Sequence, residues 1–578
     1  MVSYIDIISK RNESIPNVLS ELNNNLLYLS FKEFLNDPWI IQKKTLKDIV
    51  KCAESSEFGK KHSFESIESI EDYRKNVSIS EYLDYTPYIE KMKKGKKDVL
   101  FNGKTDSFVV SSGTTGKMKY FPDSRNGVLS KNLIMKLRSI QLSLMCPELL
   151  ESSSNILGIT NSSNYGKTEG GIPVMAASGQ GINTYVDEEH DNNDNNNCDS
   201  DNGFDKNNFK DNNEDKRGEK DKILDIKMML PQELISAKDI GSDDMNYLMA
   251  LFALSEENLN CVVCNNLAHF NFLLKQIKNN TEKMINDLDK KTLSVDIDND
   301  LKNLLLSKLP ENKDRVKKLR KIYSKDFSLP LKDIWPCFTA VGCWLSSSVG
   351  RVAFDMRKDL PKNIKYLEWG YGASEGKFNV PFEVNVSGGP VVPFSCFFEF
   401  LTLDKKRVLT LNEVEENNFY ELIITTYSGL YRYNIHDIVS INGKTFKTPN
   451  IEFECKSNEN IICNGTKFYV NTFNNIIKKI EKETNEFVSF FQLFIKNNRI
   501  SFIIEPKNEN FDIGTFKNIL MKNLDKINIK LENVYIMKKG YRDSLFVKEV
   551  CPGKTITSTK LSTILDKKLD EDFIREII

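Results

Sequence analysis

Residues 108–122 read FVVSSGTTGKMKYFP, and the organisation of the chain turns on them. Phe108, Val109 and Val110 are aromatic or β-branched, the composition of a buried strand. The run then breaks into Ser111, Ser112, Gly113, Thr114, Thr115 and Gly116, with Lys117 and Lys119 close behind. Polyphosphate binding asks for that mixture. Glycines let backbone N–H groups turn inward, hydroxyls donate to phosphate oxygens, and lysines supply positive charge. The spacing G-x-x-x-x-G-K-[ST] is absent, so this is not the Walker loop. A plain polar turn has the same composition, and the rest of the chain must choose between the two. Pro122, Asp123 and Ser124 look like a helix start, and the apolar period over 128–144 carries that helix on. A helix beginning just after the loop would aim its positive end at it.

Two further segments keep the loop company. EWGYGASEG (368–376) follows an apolar run at 364–367 and carries Tyr371, Gly372, Ser374 and Glu375. Glycines at a strand end leave an exposed loop, the usual place for ligands on α/β sheets. An acid near a triphosphate is a natural Mg²⁺ ligand, which makes Glu375 the metal candidate. TTYSGLYRYNIHDIVSI (425–441) places Arg432 and Asp437 between two expected strands. A carboxylate at a strand start can accept both hydroxyls of a ribose. Each acid on its own reads more readily as a surface acid in a turn.

The bulk composition narrows the field. At 578 residues the chain exceeds one core, and its length suggests about three or four domain-sized units. Lysine and arginine number 80 against 81 acids, a formal charge of −1. No overall field therefore favours nucleic acid or an anionic membrane. No apolar run approaches the ~18 residues of a membrane span, and the start, MVSYIDIISKRNES, lacks a signal-peptide pattern. Eleven cysteines show no framework of spacings, and the close pair in NCVVC (260–264) sits in an apolar run that reads as a buried strand. These features suggest a cytoplasmic protein with free thiols. Only four histidines occur, His62, His190, His269 and His436, none in a nucleophile-elbow or HExxH setting. Histidine chemistry is not at the centre.

In chain order, residues 1–60 have helical apolar spacing. From 187 to 222 the composition collapses to Asn, Asp, Lys, Glu and Gly, which reads as a disordered loop inserted in a folded domain. Residues 223–330 read as largely helical around a strand at 259–264, with 279–315 a helical insertion of surface charge. Short strands dominate 334–455. The last stretch alternates helix and strand as an α+β unit. The expected architecture is α/β: a large N-terminal part with a β-rich portion over 1–455, and a small mobile C-terminal domain over 456–578.

In this order the three segments resemble the motifs of the auxin-responsive acyl-acid-amido synthetases, the plant "Gretchen Hagen three" proteins, within the wider adenylate-forming superfamily. EFGKKHSFESIESIEDYRKNVSISEYLDYTPYIEKMKKGK (57–96), IWPCFTAVGCW (334–344), FFEFL (397–401) and LDKINIKLENVYIMKKGYRDSLFVKEVCPGK (524–554) extend the likeness over most of the chain. The resemblance implies that Ser111, Ser112, Gly113, Thr114, Thr115, Gly116 and Lys117 hold the phosphates of ATP. Tyr371, Gly372 and Ser374 would line the nucleotide pocket with Arg432, Asp437 would bind the ribose, and Glu375 would face Mg²⁺ or phosphate. Lys119, Glu375 and Lys554 are the side chains it sets at the chemistry. The implied partners are ATP, Mg²⁺, a small carboxylic acid, and an amine or amino acid; oligomeric state is left open. The carboxylate would attack the α-phosphorus and the amine would then displace AMP. Two departures stand out. The family's Gly-Asp is His436-Asp437 here, and its late Gln-x-Lys-x-Pro-Arg segment is not recognisable, leaving Lys554, Lys560 and Lys567 as candidates for its lysine. Two other readings share the motifs: a thiol acceptor such as coenzyme A, and a degenerate nucleotide binder without turnover.

Overall fold

A computed structural model describes residues 4–111, 118–150, 155–159, 164–176, 230–237, 240–346, 350, 351, 353, 356, 360–507, 510–542, 544, 545, 561–565 and 574–577. Residues 112–117 of the loop, the 187–222 insertion, Lys554, Lys560 and Lys567 lie outside them. Among the described residues, the fold is α/β, with three main sheets and a smaller α+β unit at the C-terminal end.

The apolar run at 108–110 does form a strand, Ser107–Ser111. It pairs antiparallel with Lys119–Asp123, Ser111 opposite Lys119, and parallel with Pro173–Ala176. The glycine-rich stretch is therefore the connection of a β-hairpin. The expected helix is present, Arg125–Met145, with Ser124 capping it by accepting from the Gly127 N–H. A five-residue strand, Lys119–Asp123, stands between it and residues 112–117 in the sequence. Pro122 and Asp123, expected in the helix start, instead end Lys119–Asp123, an edge strand where a missing N–H is tolerated.

A second sheet is wholly parallel, in the order Asn155–Ile159, Leu259–Cys264, Ala340–Cys343 and Lys365–Glu368. The NCVVC run is its buried strand, and burial pushes the Cys264 thiol up to about 12. Helices cover it, including Thr281–Lys290, Asn299–Lys308 and Lys313–Asp326. Their inner faces bury Met284, Leu305 and Leu319. The 279–315 stretch is thus helical as expected, yet part of the core rather than a surface addition.

The third sheet is antiparallel, ordered Val408–Thr410, Phe397–Thr402, Phe419–Thr425, Tyr433–Thr445, Thr448–Lys456 and Gly389–Pro390. Its largest core gathers Phe397, Leu422 and Tyr431 with Phe108 of the first sheet. The N-terminal helices Asn24–Asn36 and Pro38–Lys51 close it from outside. Leu27, Phe31 and Phe34 pack on Val380, Val392 and Phe394. Gln42 Nε2 donates to the carbonyls of Pro393 (2.6 Å) and Cys396 (2.8 Å), and its Oε1 accepts from Phe398 N–H. In the tail, helices Val470–Thr484 and Ile513–Lys526 back the strands Val488–Lys496, Arg499–Pro506 and Lys530–Met537, each within a few residues of its expected place.

Inside the third sheet, buried Glu399 takes Arg432 in a two-pronged pair, Nε at 2.8 Å and Nη2 at 3.2 Å, and also accepts from Arg74 Nε at 2.8 Å. Removing the carboxylate strands a buried guanidinium. We expect Glu399→Ala to lose about 3–5 kcal/mol, read as a lower denaturation midpoint of the full chain.

Candidate functional site

The site is built from the loop after strand Lys365–Glu368. At the strand's end, Glu368 turns back on its own backbone and accepts from Leu345 N–H (2.8 Å) and Gly370 N–H (3.0 Å). Burial pushes its carboxyl up to about 7, against the pull of those N–H groups and of Arg138. Gly370 has φ +87°, and a Cβ there would stand 2.5 Å from Arg138 Nε. The glycine is needed because the guanidinium sits against the turn: Arg138 donates Nη2 to the Tyr371 carbonyl (2.9 Å) and Nε to the Asn379 carbonyl (3.0 Å). Ala373 N–H to the Gly376 carbonyl and Phe378 N–H to the Tyr371 carbonyl close a tight hairpin whose tip carries Ser374 and Glu375. Ser374 is buried there, and Gly372 lies under the Lys377 stem, where a Cβ would meet Cδ at 2.8 Å.

Tyr371 links this loop to the third sheet. Its ring lies on Phe453, centroids 5.7 Å apart, and its hydroxyl donates to Asp437 Oδ2 at 2.6 Å. Asp437 is buried and faces Lys456 across the strands, the two forming an ion pair. Burial disfavours the Lys456 ammonium, but Asp437 and Glu375 outweigh it and hold the group above the ordinary lysine range. Glu375 is raised, first by burial and then by Asp437, while Lys456 and Lys119 pull it down. Glu375, Asp437, Lys456 and Lys119 thus form one electrostatic cluster. Lys119 lies over the Tyr82 ring, 5.1 Å from its centroid. Ser111 pairs with Lys119, so the strand that leads into residues 112–117 ends opposite the lysine that acts on Glu375.

Two expectations are revised. Asp437 is not at a strand start: it lies inside Tyr433–Thr445, where the pairing with Phe419–Thr425 slips between Glu421 and Ile423. Arg432 is not brought to the cluster. Its guanidinium is committed to Glu399, to the Val77 carbonyl (2.9 Å) and to the Arg74 carbonyl (3.4 Å), so it braces the sheet. The irregularity also explains His436. It takes φ +58°, a conformation that favours glycine, and its ring is held by Glu81 (Nε2, 2.5 Å), Glu421 (Nδ1, 3.1 Å) and Ser457. Sequence reasoning missed Lys456, Arg138 and Lys377. Only Lys456 left a signal: counting back from the hairpin turn at 446–447 brings it opposite Asp437.

The chain superimposes on a solved acyl acid amido synthetase in complex with 2,4-DB, with a TM-score of 0.76 over 98% of both chains at 15% identity. Residues 28–358 match the GH3 family N-terminal domain and 389–456 the GH3 family central domain. The chain belongs to the GH3 family. It is 22% identical over 460 residues to the indole-3-acetic acid-amido synthetase GH3.2 of Arabidopsis thaliana, covering 74% of this chain and 75% of that one. It is 24% identical over 450 residues to the jasmonoyl–L-amino acid synthetase JAR6 of Nicotiana attenuata, covering 74% and 71%.

The raised Glu368 carboxyl has a consequence for stability. Its contribution is present in full below the unfolded value of 4.5 and is lost as pH rises through about 7. Denaturant melts across that window are expected to show Glu368→Gln lacking this part of the slope, gaining on the wild type as pH increases.

Proposed function

We propose that the chain is an ATP-dependent ligase that joins a small carboxylic acid to an amine, typically of an amino acid, through an acyl-adenylate. The observation that carries this reading is the cluster of Tyr371, Asp437, Lys456 and Glu375 with Lys119 of the strand that follows the Ser/Gly/Thr/Lys stretch, in a chain of the GH3 family. The names of its relatives, synthetases that act on indole-3-acetic acid or form jasmonoyl–amino acid products, point the same way.

In the first step the acid's carboxylate attacks the α-phosphorus and pyrophosphate leaves. In the second the amine attacks the acyl carbon and AMP leaves. Ser111, Ser112, Gly113, Thr114, Thr115, Gly116 and Lys117 receive the phosphates through hydroxyls, inward N–H groups and positive charge. Asp437, buried and fixed by Tyr371 and Lys456, accepts from the ribose hydroxyls. Tyr371, Gly372 and Ser374 form the wall beside the nucleotide. Lys456 and Lys119 supply positive charge facing the phosphates, and Lys554 remains the C-terminal candidate for the same work. The carboxylate oxygens of Glu375 suit a hard cation: among the described residues it forms no ion pair, while the two lysines that act on it are engaged elsewhere, Lys456 with Asp437 and Lys119 over Tyr82. Mg²⁺ bound there would neutralise phosphate charge. Such a reaction aligns an anionic nucleophile and stabilises spreading negative charge, which needs no histidine base. The nine free cysteines among the described residues support a reducing, cytoplasmic setting. Among those residues no helix is long and apolar enough to cross a membrane.

The test is a mass-spectrometric screen of the purified chain with ATP, Mg²⁺ and pooled carboxylic acids, with and without amino acids. We expect AMP, pyrophosphate and a new amide in equal amounts. An acyl-adenylate that passes to a thiol instead would move the acceptor class, and bound ATP without turnover on an exhaustive acid panel would sink the ligase. Asp437→Ala should weaken ATP binding by about 1–3 kcal/mol, because a charge-assisted contact to the ribose is lost. Unaltered ATP affinity in the folded variant would remove Asp437 from the ribose.

A further inference from the structure

Residues 80–82 lie between two strands of the candidate site and touch both. Ser80 is stitched to the strand that carries Asp437. Its N–H donates to the Arg432 carbonyl (3.0 Å), its carbonyl accepts from Asn434 N–H (2.9 Å), and its hydroxyl donates to the Tyr431 carbonyl (2.9 Å). Glu81 then sets Oε2 at 2.5 Å from Nε2 of His436, the residue before Asp437. Tyr82, the first residue of helix Tyr82–Lys93, turns to the other strand, Lys119–Asp123. Its hydroxyl accepts from Tyr120 N–H (2.8 Å) and donates to the Tyr120 carbonyl (3.3 Å), and its ring meets Phe121 edge-on at 5.4 Å. Lys119 Nζ lies over the same ring.

Ordinary satisfaction of polar groups does not account for these contacts. Glu421, the other acid on the His436 ring, already accepts from Asn434 Nδ2 at 2.9 Å and pairs with Lys405. It has no need of the imidazole. What the histidine adds is reach to Glu81, held at a backbone conformation of φ +58° that is costly for a side chain of its size. Likewise Tyr120 lies on an edge strand, where water would serve its outer N–H and carbonyl. What the Tyr82 phenol adds is a ring fixed under Lys119.

We propose that residues 80–82 form a strap that positions the two ends of the nucleotide: Glu81, through His436, sets Asp437 for the ribose, and Tyr82 sets Lys119 for the phosphates. The assignment rests on the nucleotide-site reading above. Glu81, His436 and Tyr82 are positioning residues, each acting through the neighbour it holds.

The test is calorimetric titration of the full-length chain with ATP and Mg²⁺ and, separately, with AMP, which keeps the ribose and carries one phosphate of the three. His436→Asn tolerates the positive φ and is too short to reach Glu81. Glu81→Ala breaks the same contact from its exposed end, where little of the fold depends on it. Both should raise Kd for ATP and for AMP by one common factor of about threefold or more, the scale of one net hydrogen bond. Tyr82→Phe keeps the ring and loses only the hydroxyl that fixes it. It should raise Kd for ATP by a similar factor and disturb AMP less, so that AMP binding also reports an intact fold. Unchanged affinities in both His436→Asn and Glu81→Ala, or a Tyr82→Phe that weakens the two nucleotides equally, would overturn the strap. A wild type that binds neither nucleotide would overturn the nucleotide-site reading, and the strap with it.

Discussion

The short hydrogen bond from the Tyr371 hydroxyl to Asp437 ties the loop after the parallel sheet to the antiparallel sheet at the site itself. Tyr371 belongs to the loop of the parallel sheet, Asp437 to the antiparallel one. Burial and the Asp437 charge push the Tyr371 phenol up, so the proton stays on the tyrosine and the carboxylate stays an acceptor. The bond fixes where the Ser374–Glu375 tip stands relative to the strand that carries Asp437 and its partner Lys456. Every electrostatic relation within the cluster depends on that distance being held.

The bond is in turn supported from both sides. Arg138 and Asn379 fix the backbone of Tyr371, Arg138 from the helix behind the loop and Asn379 from the loop's own far side. On the other side, the backbone at 432–436 leaves regular strand geometry twice, at Arg432 (φ +48°) and His436 (φ +58°). Each departure is held by buried or charged contacts, Glu399 for the arginine, Glu81 and Glu421 for the histidine. The kink re-aims Asp437 towards the loop, and contacts well removed from the cluster meet its conformational cost.

Much of this was legible in the sequence, for definite reasons. Strands such as 259–264 and the tail elements announce themselves through apolar composition and period. Tyr371, Glu375 and Asp437 lie in glycine-punctuated motifs that few other chemistries require. What escaped was whatever depends on register or tertiary approach. Pro122 and Asp123 looked like part of a helix entry, and pairing at the sheet edge puts them in a strand instead. Arg432 looked like a ligand because nothing local reveals Glu399, thirty-three residues earlier, as its partner. The helices at 279–315 looked like an addition because their charged outer faces dominate the composition while their apolar stripes are thin.

The N-terminal helices carry a consequence for how the chain is made. Leu27, Phe31 and Phe34 share a cluster with Leu133 and Leu137 of the helix Arg125–Met145, but the rest of their surface, Val380, Val392 and Phe394, comes far later in the chain, as do the partners of the Gln42 amide at residues 393–398. About 350 residues must leave the ribosome in between, which at about 5–20 residues per second takes roughly 20–70 s. For that interval the apolar face of the first helices is covered only by segments nearer in sequence, such as Leu133 and Leu137. Part of the surface that the first segment needs is therefore among the last to be made.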